Sequence, residues 1–159
     1  MDDVIIRPAK QADVNAIGKL WKKLADYHQT LDVRLPQPAS NGDDLYAQRL
    51  ESQLDDPYHQ VLVAEANGQL VGYVLGMIAD YMADVFLPES TGFLADIFVD
   101  EMYRGTGVGK KLVLALGMWF KSRGIGTMEW YVASENASAK QFWEHIGGKE
   151  LIIRMRLDL

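Results

Sequence analysis

Residues 96–112, DIFVDEMYRGTGVGKKL, carry the clearest structural signal in the chain. An apolar run that ends at Val99 predicts a central strand, and the amphipathic pattern after Gly107 predicts a helix. Between them lie three glycines at alternate positions, followed by two lysines. Glycines let a backbone approach a ligand closely, and the unpaired N–H groups of a helix start attract an anion. The stretch therefore predicts a phosphate-binding loop between a strand and a helix.

Two common phosphate loops do not fit this stretch. A nucleotide P-loop needs Gly-x-x-x-x-Gly-Lys followed by Ser or Thr. Its first glycine position is occupied by Arg104, and its hydroxyl position by Lys111. A dinucleotide loop needs Gly-x-Gly-x-x-Gly, but its last glycine position holds a lysine or a leucine, depending on the starting glycine. What remains is the pattern Arg-x-x-Gly-x-Gly, which Arg104, Gly107 and Gly109 satisfy.

The composition limits what the rest of the chain can be. With 159 residues and 48% hydrophobic content, we expect one domain over residues 1–159. The net charge of −6 does not suggest a nucleic-acid partner. Cysteine is absent and the three histidines are scattered, so we expect no disulfide and no metal. No signal peptide and no long apolar run are recognisable, so we expect a cytoplasmic protein without a membrane partner.

The periodicity of apolar residues predicts the order of elements along the chain. Asn67-Gly68 between two β-rich runs predicts a tight hairpin. A helix is predicted after residues 43–44, with three leucines as core candidates: Leu45, Leu50 and Leu54. The full order is strand 4–9, helix 11–28, that second helix, three strands between 59 and 100, helix 107–123, strand 127–134, helix 136–147 and strand 149–157. This order predicts an α/β domain with one mixed sheet.

Two motifs in this order resemble a known family. The stretch 96–112 is similar to the acetyl-CoA signature of GCN5-related N-acetyltransferases (GNAT). The downstream NASAKQFWEHIGG, residues 136–148, resembles that family's second motif, Asn-x-x-Ala-x-x-Phe-aromatic. The resemblance implies a single-domain GNAT-type fold with a mostly antiparallel central sheet flanked by helices. It also implies acetyl-CoA as cosubstrate and direct transfer of acetyl to an amine. The alternative is a glycine turn that only caps a helix.

The resemblance also implies which residues bind the cofactor. The end of the strand before the loop would pair with the pantetheine arm as an added strand does. The glycine loop would hold the pyrophosphate, and the second motif would contact the pantetheine arm. For Phe142, ordinary core packing is an alternative that is compatible with this role. The cofactor residues implied are Ile97, Phe98, Val99, Arg104, Gly105, Thr106, Gly107, Val108, Gly109, Lys110, Asn136 and Phe142.

The chemistry of the reaction favours a base over an acid. An alkylamine with a pKa of about 10.4 must lose its proton, which costs roughly 4–5 kcal/mol at pH 7. A thiolate leaving group with a pKa of about 8.5 costs only about 2 kcal/mol. Asp96 is the candidate base, since a carboxylate among apolar strand neighbours should have a raised pKa. The alternative is a structural hydrogen bond made by Asp96.

The chain departs from the family pattern at two positions. The polyamine acetyltransferase subgroup, which the stretch also resembles, has Glu-Asp where this chain has Ala95-Asp96, and this weakens a polyamine assignment. Trp143 stands where the family usually has a tyrosine, and an indole cannot act as an acid. Either the thiolate leaves unassisted, or another residue substitutes, with Tyr131 as a weak candidate beside Ser134 and His145.

The acceptor is the least specified part of the prediction. The resemblance places it over the first helix and loop, where Tyr27, His28 and Asp32 are candidate ligands or merely a solvated helix end. Met77 and residues 79–86 either wall that cleft, form a dimer surface or belong to the core. We expect a small-molecule amine, with a protein N-terminus or lysine as the alternative and a non-catalytic CoA-binding sensor or interaction domain as a third possibility. Family members are often dimers, so a homodimer is expected.

Overall fold

The computed structural model describes residues 3–79, 85 and 89–159. In these residues a single sheet has the order β1-β2-β3-β4-β5, formed by Ile5–Pro8, His59–Ala66, Gln69–Ala79, Thr91–Val99 and Met128–Glu129. Neighbouring strands are antiparallel except β4 and β5, which are parallel. The helices are α1 Val14–Leu31, α2 Gly42–Gln53, α3 Val108–Ser122 and α4 Ala137–His145. The mixed, mostly antiparallel α/β fold is therefore confirmed.

Local signals in the sequence account for most of these elements. Asn67 and Gly68 have φ values of 51° and 76°, as the tight turn between β2 and β3 requires. The predicted helix 107–123 appears as α3, and Val108, Leu112 and Leu116 are buried. The first helix continues three residues beyond the predicted end at residue 28, to Leu31.

Two apolar cores lie on opposite faces of the sheet. One is formed with α3 and α4 and includes Leu112, Phe120 and Trp143. The other is formed with α1 and α2 and includes Ile17 and Tyr73. The sheet is thus covered on both sides, and side chains of β4 reach one core or the other.

The burial predicted for α2 needs a correction. Leu50 is buried and Leu54 packs against the core as predicted, but Leu45 is 50% exposed. Tyr46 takes the inward position instead, at helical spacing from Leu50. The sequence pattern favoured leucine over tyrosine, although a tyrosine ring packs equally well when its hydroxyl has a partner.

A bulge in β4 sets the direction of its side chains. Leu75 pairs with Asp96, but the next residue, Gly76, pairs with Leu94, so Ala95 is an extra residue. A bulge of this kind re-aims the side chains that follow it. Leu94 belongs to the α3 core, whereas Phe98 belongs to the α1/α2 core, although regular alternation would place both on one face.

The last two predicted strands differ from the structure. The predicted strand 127–134 is reduced to Met128–Glu129, and the predicted strand 149–157 is wrong, because residues 149–159 form no strand. A strand exists only where a neighbour accepts its hydrogen bonds, and β5 meets β4 over two positions.

Two other predictions are limited by the residues described. Of the segment 79–86, residues 80–84 and 86 lie outside the described part, and Met77 is half-buried at the end of β3. Within residues 3–79, 85 and 89–159, no helix has the length and hydrophobicity needed to cross a membrane.

Candidate active site

The edge of β4 that faces β5 is open over most of its length. The two strands pair at Gly92 with Met128 and at Phe93 with Glu129, and no further pair follows in the described residues. Residues 97–99, predicted to pair with the pantetheine arm, lie on the unpaired part of this edge. An extended ligand can therefore add to β4 as a short strand would.

The glycine loop directly after β4 presents a row of free amides. Gly105 and Gly107 have φ values of 75° and 89°, a conformation that side chains with a Cβ rarely adopt. None of the six N–H groups of residues 105–110 donates a hydrogen bond within the described chain. Lys110 and Lys111 are exposed beside them and form no ion pair there. Amides and cations at a helix start form an anion site.

Arg104 is placed differently from the rest of the loop. Its Nε donates to the carbonyl oxygen of Val99 at 3.0 Å. Its guanidinium carbon lies 5.6 Å from the ring centroids of both Tyr27 and Phe98. Arg104 thus ties the loop to β4 and α1, and it occupies a backbone acceptor at the position predicted to pair with the pantetheine arm.

The second motif lies beside the loop. Asn136 is buried and caps α4, since its Oδ1 accepts from the N–H of Ala139 at 3.1 Å. The predicted cap is confirmed. A Cβ added at Gly109 would lie 3.4 Å from the ring of Phe142, so that ring contacts the first turn of α3. Trp143 is 6% exposed and its ring centroid is 4.2 Å from that of Trp130, so its main role is packing.

Asp96 faces α2, on the opposite side of the sheet from α3. Its Oδ2 accepts a hydrogen bond of 2.8 Å from the hydroxyl of Tyr46. Its Oδ1 has no protein partner in the described chain and is not enclosed. Burial raises the pKa of Asp96, while the hydrogen bond from Tyr46 and the charges of Arg49 and His28 act in the opposite sense. The arrangement is a partly buried carboxylate with one oxygen fixed and one available to take a proton.

Two buried tyrosines, Tyr46 and Tyr73, lie beside Asp96, and we call these three residues with His28 the Asp96 cluster. The rings of Tyr46 and Tyr73 meet edge to face, with centroids 6.2 Å apart. Burial raises the pKa of both hydroxyl groups well above the usual tyrosine value, so both stay protonated. The hydroxyl of Tyr73 is buried beside that of Tyr46, and its interaction with Tyr46 contributes to its raised pKa. The sequence analysis missed both tyrosines, and the only signal was the helical spacing of Tyr46 from Leu50.

The structure does not bring the three predicted acceptor ligands, Tyr27, His28 and Asp32, into one site. Burial lowers the pKa of His28, and the negative charge of Asp96 partly opposes this, which places His28 near the carboxylate. Tyr27 lies under Arg104. Asp32 is bound to Arg34, with an N–O distance of 2.7 Å, and this lowers the pKa of Asp32 to about 2. Asp32 is therefore already neutralised by Arg34, whereas Tyr27 and His28 lie beside the open part of β4.

Two further features surround the cluster. Tyr131, the weak acid candidate, is 80% exposed, and its ring contacts Phe93 edge to face at 5.4 Å. A cleft of about 290 Å³ lies on the outer side of Tyr46, between α1, α2 and residues 36–39, with Arg49 at its wall. Among the described residues, no three histidine or acidic side chains are grouped to bind a metal.

Comparison with known proteins supplies an independent test of these motifs. The sequence model of the Acetyltransferase (GNAT) family matches residues 21–147. The thialysine N-epsilon-acetyltransferase of Bos taurus is 28% identical over 153 residues, which cover 93% of this chain and 85% of that protein.

Solved structures agree with the fold. A mutant of the BH1408 protein from Bacillus halodurans has a TM-score of 0.87 at 23% identity, covering 98% of this chain and 99% of that one. The aminoglycoside N-acetyltransferase AAC(6')-Iy, solved in complex with CoA, has a TM-score of 0.75 at 21% identity, covering 100% of this chain and 97% of that one.

Proposed function

The chain belongs to the Acetyltransferase (GNAT) family, and from this premise we propose that it moves the acetyl group of acetyl-CoA to the amine of a small molecule. One observation carries the proposal. The free amides of residues 105–110, the open edge of β4 and the Asp96 carboxylate are consecutive parts of a single strand and loop. They can therefore hold a diphosphate, an extended arm and a reacting group in that order.

The donor is proposed to bind along this line. Its pyrophosphate accepts from the amides of residues 105–110, with Lys110 adding positive charge. Its pantetheine arm pairs with the backbone of residues 97–99, near Asn136 and Phe142. Pairing at Val99 requires Arg104 to release the carbonyl that it now holds at 3.0 Å. Arg104 is then free to turn to the pyrophosphate.

The acetyl transfer is proposed to use Asp96 as the base. The open Oδ1 takes a proton from the acceptor ammonium while Tyr46 fixes Oδ2. The freed amine attacks the thioester carbonyl, so a C–N bond forms and the C–S bond breaks. The second proton on the nitrogen passes to solvent or to the departing sulfur, which leaves a neutral amide, and Asp96 returns its own proton to solvent. CoA leaves as the thiolate, either unassisted or protonated by Tyr131.

The acceptor is proposed to be a small amine bound beside Tyr27 and His28. The thialysine acetyltransferase of Bos taurus, named for an amino acid with a terminal amine, supports this class. A protein N-terminus or lysine is the second candidate, and a CoA-binding domain without turnover is the third. The lone carboxylate at Asp96, without a preceding glutamate, favours one amine over a long polyamine. A cytoplasmic location and a homodimer remain predictions.

A thiol-release assay tests this function. Acetyl-CoA is incubated with the protein and a panel of amines that includes thialysine, lysine, a diamine and a lysine-containing peptide. We expect CoA release well above hydrolysis for at least one small amine and little for the peptide. Tight acetyl-CoA binding with no release above background for any acceptor would support the CoA-binding domain instead.

A further inference from the structure

The cleft of about 290 Å³ between α1, α2 and residues 36–39 contains one cation and no anion. Of the described residues that line it, Arg49 is the only one with a charged side chain. Its guanidinium makes no ion pair and no hydrogen bond with another described residue. Most of the lining is apolar and includes Trp21, Ala25 and Leu45. A guanidinium without an anion at the wall of such a cleft can bind a ligand that carries one.

The wall formed by residues 36–39 is held in place at both ends. Gln29 in α1 donates from Nε2 to the carbonyl oxygens of Leu35 and Pro36, at 2.7 Å and 3.0 Å. At the other end, the N–H of Gly42 donates to the carbonyl oxygen of Ala39 at 3.0 Å. The cleft is therefore formed before a ligand arrives, and binding does not have to order this part of the chain.

Tyr46 connects the cleft to the Asp96 cluster. Its ring stacks on Trp21 in the cleft, with centroids 4.9 Å apart, while its hydroxyl donates to Asp96 Oδ2 at 2.8 Å. Burial has the largest influence on Asp96 and raises its pKa, whereas the positive charge of Arg49 lowers it. A ligand held at Arg49 thus lies close to the carboxylate that we propose as the base.

The charge of Arg49 is unfavourable for a simple amine. The acceptor arrives as an ammonium ion, and like charges that approach the same site repel each other. His28 is the other basic group beside Asp96, but burial lowers its pKa, so at neutral pH the repulsion comes mainly from Arg49. An acceptor that also carries an anion turns this repulsion into attraction, with the anion at Arg49 and the ammonium at Asp96.

We propose that Arg49 binds a carboxylate of the acceptor, which makes the acceptor an amino acid with a side-chain amine. This inference rests on the acetyl transfer proposed above. A carboxylate matches the planar fork of a single guanidinium through two parallel hydrogen bonds. A phosphate is disfavoured, because no second cation lines the cleft among the described residues and the first turn of α2 carries Asp43 and Asp44.

Matched pairs of amines test the role of Arg49. Lysine and cadaverine, like ornithine and putrescine, differ only in the carboxylate, and acetyl transfer to each is followed by CoA release. For the better pair, the wild type should prefer the amino acid by about tenfold in kcat/KM, the scale of one charge-assisted contact. Arg49→Gln should remove most of this preference, mainly through KM, and Arg49→Lys should restore part of it.

The ratio within a pair is the readout, because any effect of Arg49 on the base changes both amines and cancels. Arg123→Gln, at an exposed arginine just beyond α3, is the matched control and should keep the wild-type ratio. All variants should bind acetyl-CoA as the wild type does, which shows that they are folded. A ratio that Arg49→Gln leaves unchanged would overturn the inference and leave the proposed acetyl transfer standing.

Binding measured without turnover separates this inference from the proposed function. Calorimetry in excess CoA, which has no acetyl group to give, should show the amino acid of the better pair binding about tenfold more tightly than its decarboxylated partner. Arg49→Gln should abolish this difference. If the difference is present but no amine is acetylated, the inference stands and the proposed function fails. Equal affinities within both pairs, no binding of any of the four amines, or tighter binding of 5-aminopentyl phosphate than of lysine would overturn the carboxylate assignment.

Discussion

The glycine loop at residues 105–110 follows β4 directly and Asp96 lies on β4, but the two sites use different chemical groups. The loop consists of backbone amides held by two glycines with positive φ. The cluster consists of side chains from α1, α2, β3 and β4 that a bulge at Ala95 brings together. A site made of consecutive backbone groups depends on a few local residues. A site made of distant side chains depends on the whole fold.

The largest effect should come from Asp96→Asn. Removing a general base lowers the rate by about 100-fold or more, whereas donor binding at the loop should stay unchanged. The measurements are kcat/KM for the best amine and acetyl-CoA affinity by calorimetry. Asp55→Asn, an exposed acid at the end of α2, is the matched control and should leave both unchanged. A tenfold loss of acetyl-CoA affinity in Asp96→Asn would contradict the proposal that the loop binds the donor independently of Asp96.

The converse change is Gly107→Ala in the loop. A Cβ at a φ of 89° is strained, by roughly 1–2 kcal/mol, although no atom lies within 4 Å of it. We expect acetyl-CoA affinity to fall by about tenfold as the amides move, since 1.4 kcal/mol is a factor of ten. Gly124→Ala, at φ 78° beyond α3 and equally uncrowded, carries the same strain away from the loop. Equal affinity loss in both variants would mean that strain, not the loop, weakens binding.

Tyr46→Phe should give an intermediate effect within the side-chain cluster. The hydroxyl of Tyr46 lowers the pKa of Asp96, so its loss raises that pKa further. The acidic limb of the pH–rate profile should move to higher pH, and at pH values below the limb kcat/KM should fall by about fivefold for a bond of roughly 1 kcal/mol. Tyr58→Phe, at an exposed tyrosine outside the cluster, is the control and should leave the limb in place. An unmoved limb in Tyr46→Phe would show that this contact does not tune the base.

The smallest expected effect is on stability. The pKa of Asp96 is raised in the folded state, so the folded protein loses stability as pH rises from the unfolded pKa through the folded one. Asp96→Asn removes this penalty and should melt a few degrees higher at neutral pH, since 1 kcal/mol is worth about 2–4 °C at this size. The gain should vanish in acid. A lower melting temperature at neutral pH would indicate that Asp96 is structural.

The difference between neighbouring backbone groups and distant side chains also explains which features could be predicted from the sequence. The loop, α3 and the cap at Asn136 were predicted because their residues are neighbours in the chain. Tyr46 and Tyr73 were missed because no local pattern links them to Asp96, and the bulge at Ala95 has no glycine to mark it. Residues 149–159 have a strand pattern, but pattern alone does not supply the neighbour that a strand needs.

The pH–rate profile of the wild type beside Asp96→Asn tests the central claim most directly. If Asp96 is the base, kcat/KM for one chosen amine rises with pH through the raised pKa of Asp96 and then levels. In Asp96→Asn that limb disappears, and the slower reaction keeps rising towards the pKa of the amine itself. Two profiles of the same shape, differing only in height, would contradict the assignment of Asp96 as the base.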